Sequence, residues 1–180
     1  MKKIMFNDKY GLTQAVLEGR KTQTRRILLP HTVLKLRSGN DYQEVIRLYS
    51  TYKVGEVVAV AQRYKDIALD VPVELAAELI KQPGWTNKMF VKADLMPNRI
   101  RITNIRIERL QDISEEDCLT EGIVDFESRI NKAHFYSITD ESATYGTAKK
   151  PYSLLIDKTA GKGTWKNNPY VFVYDFELID

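Results

Sequence analysis

The chain of 180 residues contains one cysteine, Cys118, and two histidines, His31 and His134. A single cysteine excludes an internal disulfide and any multi-cysteine metal site, and the lack of a secretory leader fits a reducing cytoplasm. Both histidines lie in weakly patterned stretches, which leaves neither a histidine triad nor a histidine-built metal cluster. No apolar run approaches the ~20 residues of a membrane helix, so no membrane partner is expected. The HExxH zinc helix, the Walker phosphate loop, the Gly-x-Ser-x-Gly elbow and the Rossmann glycine fingerprint are all missing. Neither metal nor cofactor is expected, and the base of any catalysis has to be something other than histidine.

What the chain does contain is ordinary for a folded protein. Hydrophobic residues make up 43% and charged residues 28%, enough for one domain spanning residues 1–180. The net charge of +3 is mild, so a nucleic-acid role would rest on local clustering. Such a cluster exists. Gly19-Arg20-Lys21-Thr22-Gln23-Thr24-Arg25-Arg26 places four cations and two hydroxyls in one short segment, a kit for phosphate binding or for acyl transfer. A solvated basic face is the plainer alternative.

The pattern reads as α+β. A short strand at Met1–Phe6 leads to a helix over about 8–18, and Gly19 stands at its C′ position. Residues 30–51 show two apolar-polar alternations around Ser38-Gly39-Asn40-Asp41, which predicts a β-hairpin. Strands are expected at Val57–Tyr64, Phe90–Ala93 and Ile100–Ile107, the last with a central irregularity, and a short helix at Val71–Lys81. Ser114 is a natural N-cap for a helix from Glu115 to Gly122. Glu121 is oddly placed there, because an acid at the negative end of the helix dipole is unfavourable by roughly 0.3–1 kcal/mol; a salt bridge or a function would account for it. The stretch 125–158 reads as an insertion with loops and a short helix around Pro151–Lys158. A strand at Tyr170–Leu178 closes the chain, with aromatics on one face that fit a core better than a base-stacking platform.

Within the basic segment, Lys21 is the candidate base. Flanking cations and partial burial would push its pKa down, so that it could deprotonate Thr24, as in serine-lysine pairs. Glu121 would orient Lys21 or carry the proton.

The segment Gly19–Arg26, Tyr52-Lys53-Val54-Gly55-Glu56, Arg109–Asp117 with Glu121-Gly122-Ile123, and Trp165-Lys166-Asn167-Asn168-Pro169 together resemble an ASCH domain of the phage and prophage type. The resemblance implies a PUA-like fold: a small β-barrel capped by helices, with insertions at about 30–51, 65–90 and 125–150. It also implies binding of RNA or of a modified nucleoside in a basic cleft. Small amidohydrolases of this kind deacylate N4-acetylcytidine with a Thr, a Lys and a Glu, which match Thr24, Lys21 and Glu121. Arg20, Thr22, Arg25, Arg26, Gln62, Tyr64, Trp165 and Asn168 are the residues expected to contact the ligand. The chain departs from the family at Ala59-Val60-Ala61-Gln62-Arg63-Tyr64, where relatives carry Trp-Val-Arg-Glu-Thr-Trp, and at Tyr170, where they carry Trp. Three readings stand: a nucleic-acid or nucleoside-binding module, an amidohydrolase in which Arg26 or a backbone amide steadies the oxyanion, and a non-catalytic partner-binding phage protein.

Overall fold

A computed structural model describes residues 1–128, 130–140 and 142–179. In chain order its elements are β1 (Lys3–Ile4), α1 (Leu12–Leu17), β2 (Gln23–Ile27), α2 (Pro30–Arg37), α3 (Tyr42–Tyr49), β3 (Val57–Val60), α4 (Val73–Leu79), β4 (Arg99–Arg109), α5 (Glu115–Thr120), β5 (Val124–Glu127), β6 (His134–Ser137), α6 (Lys149–Ala160), α7 (Thr164–Asn167) and β7 (Tyr170–Ile179). Five strands form one mixed sheet in the order β1-β3-β4-β7-β2. The β1/β3 pair is parallel and the others antiparallel. Strands β1 and β2 are the two edges and do not pair with each other, so the described sheet is open. The α+β class is therefore observed.

Buried residues lie on both faces of the sheet, Val58 and Val60 in the main core and Ala59 in a second one. Along β7, Val171, Phe172, Val173, Tyr174 and Phe176 are all buried, each such side chain being worth about 1.5–3 kcal/mol of burial. The aromatic face of β7 is core: Phe176 meets Phe6 at 5.7 Å between ring centroids, and Tyr174 meets Tyr52 edge-on at 5.2 Å. A second, smaller core gathers Ala59, Ala61, Tyr64, Ile67, Leu79, Val91 and Met96.

The irregularity expected in β4 is a bulge between Ile102 and Asn104. Before it the buried positions are Ile100 and Ile102; after it they are Ile105 and Ile107. One extra residue thus reverses which face each side chain takes. The reversal turns Asn104, Arg106 and Glu108 away from the core and toward the polar side chains of β2 and β7.

Residues 30–51 are two helices, not a hairpin. Pro30 stands at the first helical turn of α2 and Gly39, at φ +85°, closes the turn between the helices, an arrangement suited to both residues. Val33 and Leu36 pack on the core from α2, and Val45, Ile46 and Tyr49 from α3, at helical spacing. The alternation came from Leu34 and Leu48, which are 62% and 53% exposed. The expected strand at Phe90–Ala93 is likewise absent, replaced by 3-10 turns at Lys88–Phe90 and Ala93–Leu95. Strand β3 stops at Val60, four residues short of Tyr64. The first helix begins as a 3-10 turn at Asp8–Tyr10, separated from α1 by Gly11. The expected insertion at 125–150 includes the β5/β6 hairpin, while Arg129 and Glu141 lie outside the described residues. The helix that follows is longer than expected, Lys149–Ala160. At α5 the Ser114 hydroxyl accepts the Asp117 N–H at 3.0 Å, the anticipated N-cap.

Candidate active site

The loop from α1 into β2 is tied down before any side chain is considered. The Lys21 N–H donates to the Ala15 carbonyl and the Thr22 N–H to the Thr120 carbonyl, each at 2.9 Å, while the Thr22 carbonyl accepts from Phe176 N–H at 2.8 Å. The loop is thereby fixed to α1, to α5 and to β7. From there Lys21 turns inward and is only 2% exposed. Its Nζ donates to the carbonyls of Gln23 (2.8 Å) and Glu121 (2.7 Å) and to Glu121 Oε2 (2.6 Å). These three acceptors match the three N–H bonds of an ammonium. Burial pulls the Lys21 pKa below its ordinary value, and the raising influence of Glu121 does not overcome that pull.

Glu121 closes α5 as its C-cap residue. Its unfavourable place at the helix end is offset by two cations: Lys21 on Oε2 and Arg25 Nη1 on Oε1 at 3.1 Å. Gly122 follows at φ +102°, and a Cβ there would sit 3.2 Å from Leu12 Cδ2 and 3.6 Å from Lys21 Cδ. Glycine is favoured twice over, by the backbone and by the tight approach of Leu12.

Arg25 is buried and serves the interior of the protein. Its Nη2 meets Glu108 Oε1 at 2.6 Å and Asp117 Oδ2 at 2.8 Å, and Nη1 also donates to the Gln23 side chain. Arg106 extends the network to Asp117 (2.9 Å), Asp175 (2.8 Å) and Glu108 (3.1 Å). Burial opposes the Arg25 charge, but the carboxylates of Glu121 and Glu108 outweigh it and hold the guanidinium above its ordinary pKa. Its multiple short contacts are of the charge-assisted kind.

Thr24 faces the other way along β2. It makes no hydrogen bond through its hydroxyl to another described residue, and it lines a cavity of about 100 Å³ together with Lys21, Glu121, Arg26 and Tyr152. Phe6, Leu12 and Leu155 form the apolar part of the wall. The cavity shares Arg25, Arg26, Ile156 and Thr159 with an adjoining groove of about 240 Å³ between β2 and α6. Arg26 Nη2 donates to the Met5 carbonyl at 2.8 Å. Among the described residues Arg26 is the member of the basic segment without a carboxylate partner.

Of the expected site residues, Lys21, Thr24, Glu121, Arg25 and Arg26 therefore converge on one cavity. The remainder stand elsewhere. Arg20 is exposed and pairs with Glu18 at 2.6 Å. Thr22 serves through its backbone. Gln62 accepts from Asn98 Nδ2 at 2.8 Å in a separate polar groove. Tyr64 is buried in the second core, where its hydroxyl accepts the Lys92 N–H at 2.9 Å; this burial leaves it no free ring face for a base. Asn168 accepts the Gln111 N–H at 2.8 Å, and Trp165 sets its ring edge-on to Tyr152 at 6.0 Å.

Tyr152 is the residue that the sequence pattern did not single out. It is 1% exposed, and its hydroxyl is buried with no hydrogen-bond partner among the described residues, an arrangement that costs about 1–3 kcal/mol. Burial, followed by the field of Glu121, raises its pKa well above that of an ordinary tyrosine, so the hydroxyl keeps its proton. Cys118 is buried on α5 and its thiol is pushed up to about 12, chiefly by that burial. Among the described residues no cluster of histidine, cysteine and acids could hold a metal ion. Nor, among the described residues, is any helix long and apolar enough to cross a membrane. Compared with known proteins, the chain matches no family model, no curated protein and no solved structure.

Proposed function

We propose that the chain is an ASCH-type, PUA-like domain acting as an amidohydrolase that removes an acyl group from the amino nitrogen of an acylated cytidine. The observation that carries this reading is the convergence of an unbonded Thr24 hydroxyl with the buried Lys21–Glu121 pair in one small cavity. The five-stranded mixed sheet with flanking helices supplies the α+β class this reading calls for, and closure into a barrel belongs to the proposal.

The chemistry follows from the contacts. Burial disfavours the charged ammonium of Lys21 and so favours its neutral amine. Loss of the proton from Lys21 leaves a lone pair on the amine, and Glu121 Oε2, 2.6 Å away, orients Nζ. Lys21 then takes the Thr24 proton while Oγ1 bonds to the amide carbon, and it returns that proton to the leaving nitrogen as the C–N bond breaks. Water hydrolyses the acyl-threonine ester, releasing a carboxylic acid and restoring Thr24. Arg26, at the rim, has N–H groups left to steady the oxyanion.

The binding-only reading, with Lys21, Arg25 and Arg26 on phosphates, draws less support, because Lys21 and Arg25 are both committed to carboxylates. The deciding experiment is hydrolysis of N4-acetylcytidine by the unmutated chain beside Thr24→Ala, with RNA binding recorded on both. Turnover that disappears in the variant while the fold persists is expected. An inactive unmutated chain that binds RNA with strong salt dependence would replace the enzyme with a binding module.

A further inference from the structure

Tyr152 has the properties of a group awaiting a partner. Its hydroxyl is buried and unbonded among the described residues, yet buried polar groups are nearly always hydrogen-bonded. The position is fixed from two directions: Trp165 packs edge-on against the ring, and α6 carries the residue into the wall of the cavity that holds Thr24, Lys21 and Glu121. Two of the ionisable groups there are already committed, while Thr24 and Arg26 keep donors of their own. Lys21 is saturated by three acceptors and Glu121 by two cations.

We propose that Tyr152 is the hydrogen-bond donor that holds the carbonyl oxygen of a short acyl amide in this cavity and so selects acylated ligands over the free amine. The inference rests on the amidohydrolase reading of the site and adds its specificity. An acceptor is required because the tyrosine, in a pocket that already contains Glu121, stays protonated and offers its O–H. A neutral acceptor is favoured, since the field of Glu121 opposes a second anion. The apolar wall of Phe6, Leu12 and Leu155 suits a methyl or short alkyl group, and about 100 Å³ limits its length. The adjoining groove beside Arg26, Ile156 and Thr159 then receives the nucleoside. Tyr152 touches the reacting amide in this arrangement and is thus a specificity group for the acyl half of the substrate.

The test uses Tyr152→Phe, which removes one oxygen and keeps the ring. On a Thr24→Ala background, where no turnover obscures binding, affinity for N4-acetylcytidine should fall about tenfold or more while affinity for cytidine is unchanged. The melting temperature should hold or rise, because the oxygen removed has no internal partner. An unchanged ratio of the two affinities, or a melting temperature lowered by several degrees, overturns the proposal. The two readings fail separately. If the unmutated chain never hydrolyses the amide but Tyr152→Phe still erases its preference for the acetyl compound, the enzyme reading falls and the carbonyl contact stands. Should Tyr152→Phe not fold, the unmutated chain decides: a preference of about tenfold or more for N4-acetyl- over N4-hexanoylcytidine is expected, and equal handling overturns the short-acyl cavity.

Discussion

Lys21 Nζ and Glu121 Oε2 lie 2.6 Å apart although 100 positions separate them in the chain, and both side chains are buried. Removing one partner of such a pair strands the other in a poorly solvated place. Lys21→Met is expected to cost about 3–5 kcal/mol, toward the lower end because Arg25 still neutralises Glu121. The double variant Lys21→Met/Glu121→Gln should cost less than the sum of the singles by about 1–3 kcal/mol. Urea unfolding of the four chains checks the cycle; strict additivity would mean that the two groups do not interact.

The pH dependence of catalysis follows from burial of Lys21. With the neutral amine as the active form, kcat/KM should rise with pH and level off, the midpoint falling below the 10.5 of an ordinary lysine. The same shift bears on stability. Between the lowered value and 10.5 the unfolded chain binds a proton that the folded chain does not, so this group favours folding increasingly as pH rises and loses that contribution as pH falls through the folded value. Lys21→Arg, always charged, should abolish the ascending limb. A midpoint at or above 10.5 in the unmutated chain would remove Lys21 as the base.

Gly122→Ala should hurt in two ways. The φ of +102° strains any side chain, and the new Cβ would crowd Leu12 at 3.2 Å while resting at ordinary contact distance from the stem of Lys21. A loss of more than about 1 kcal/mol is expected, together with reduced turnover at temperatures where the variant is folded. Gly55→Ala is the comparison, having φ +82° and nothing within 4 Å; it should show the strain with turnover intact. Equal turnover in both variants would show that the crowding of Leu12 has no consequence.

Cys118 should be a poor nucleophile in the folded protein. Its thiol is raised from 9.0 to about 12 by burial, so alkylation at about pH 8 should be far slower in the folded chain than in urea. Below pH 9.0 the stabilisation that accompanies this shift is fully present; as pH climbs toward about 12 it is lost, by at most about 1.4 kcal/mol per pH unit. Cys118→Ala should flatten that part of the alkaline decline in urea midpoints. Rapid alkylation of the folded chain would contradict the burial.

Much of the site was legible because its signals are local or misplaced. Thr24 and Lys21 lie in one dense polar segment, and Glu121 broke a helix-end rule that a cation had to repair. Ser114 capped its helix for the same short-range reasons. Arg25 could not be read correctly, since sequence shows its neighbours Lys21 and Arg26 but not Glu108, Asp117 and Glu121, which neutralise it across the fold. Tyr152 was hidden for a related reason: the aromatics around it have no clear period, and only the docking of α6 reveals that one hydroxyl is enclosed. Residues 30–51 misled because exposed leucines filled the gaps in a helical stripe, so that period two and period 3.6 looked alike.

Strand β2 carries Thr24 and Arg25, yet the strand it pairs with is β7, at Tyr170–Ile179. The acids that meet Arg25 are placed 83, 92 and 96 positions after it. A growing chain that has made only its first hundred residues therefore displays Arg20 to Arg26 as an open cationic segment on an unpaired strand. The compensating acids arrive with residues 108–121, and strand pairing follows only with residues 171–175. The sheet has a high contact order at this edge, which makes its closure a slow step. An antibody or polyanion directed at residues 20–26 should thus capture incomplete chains and release them once the final strand has been added.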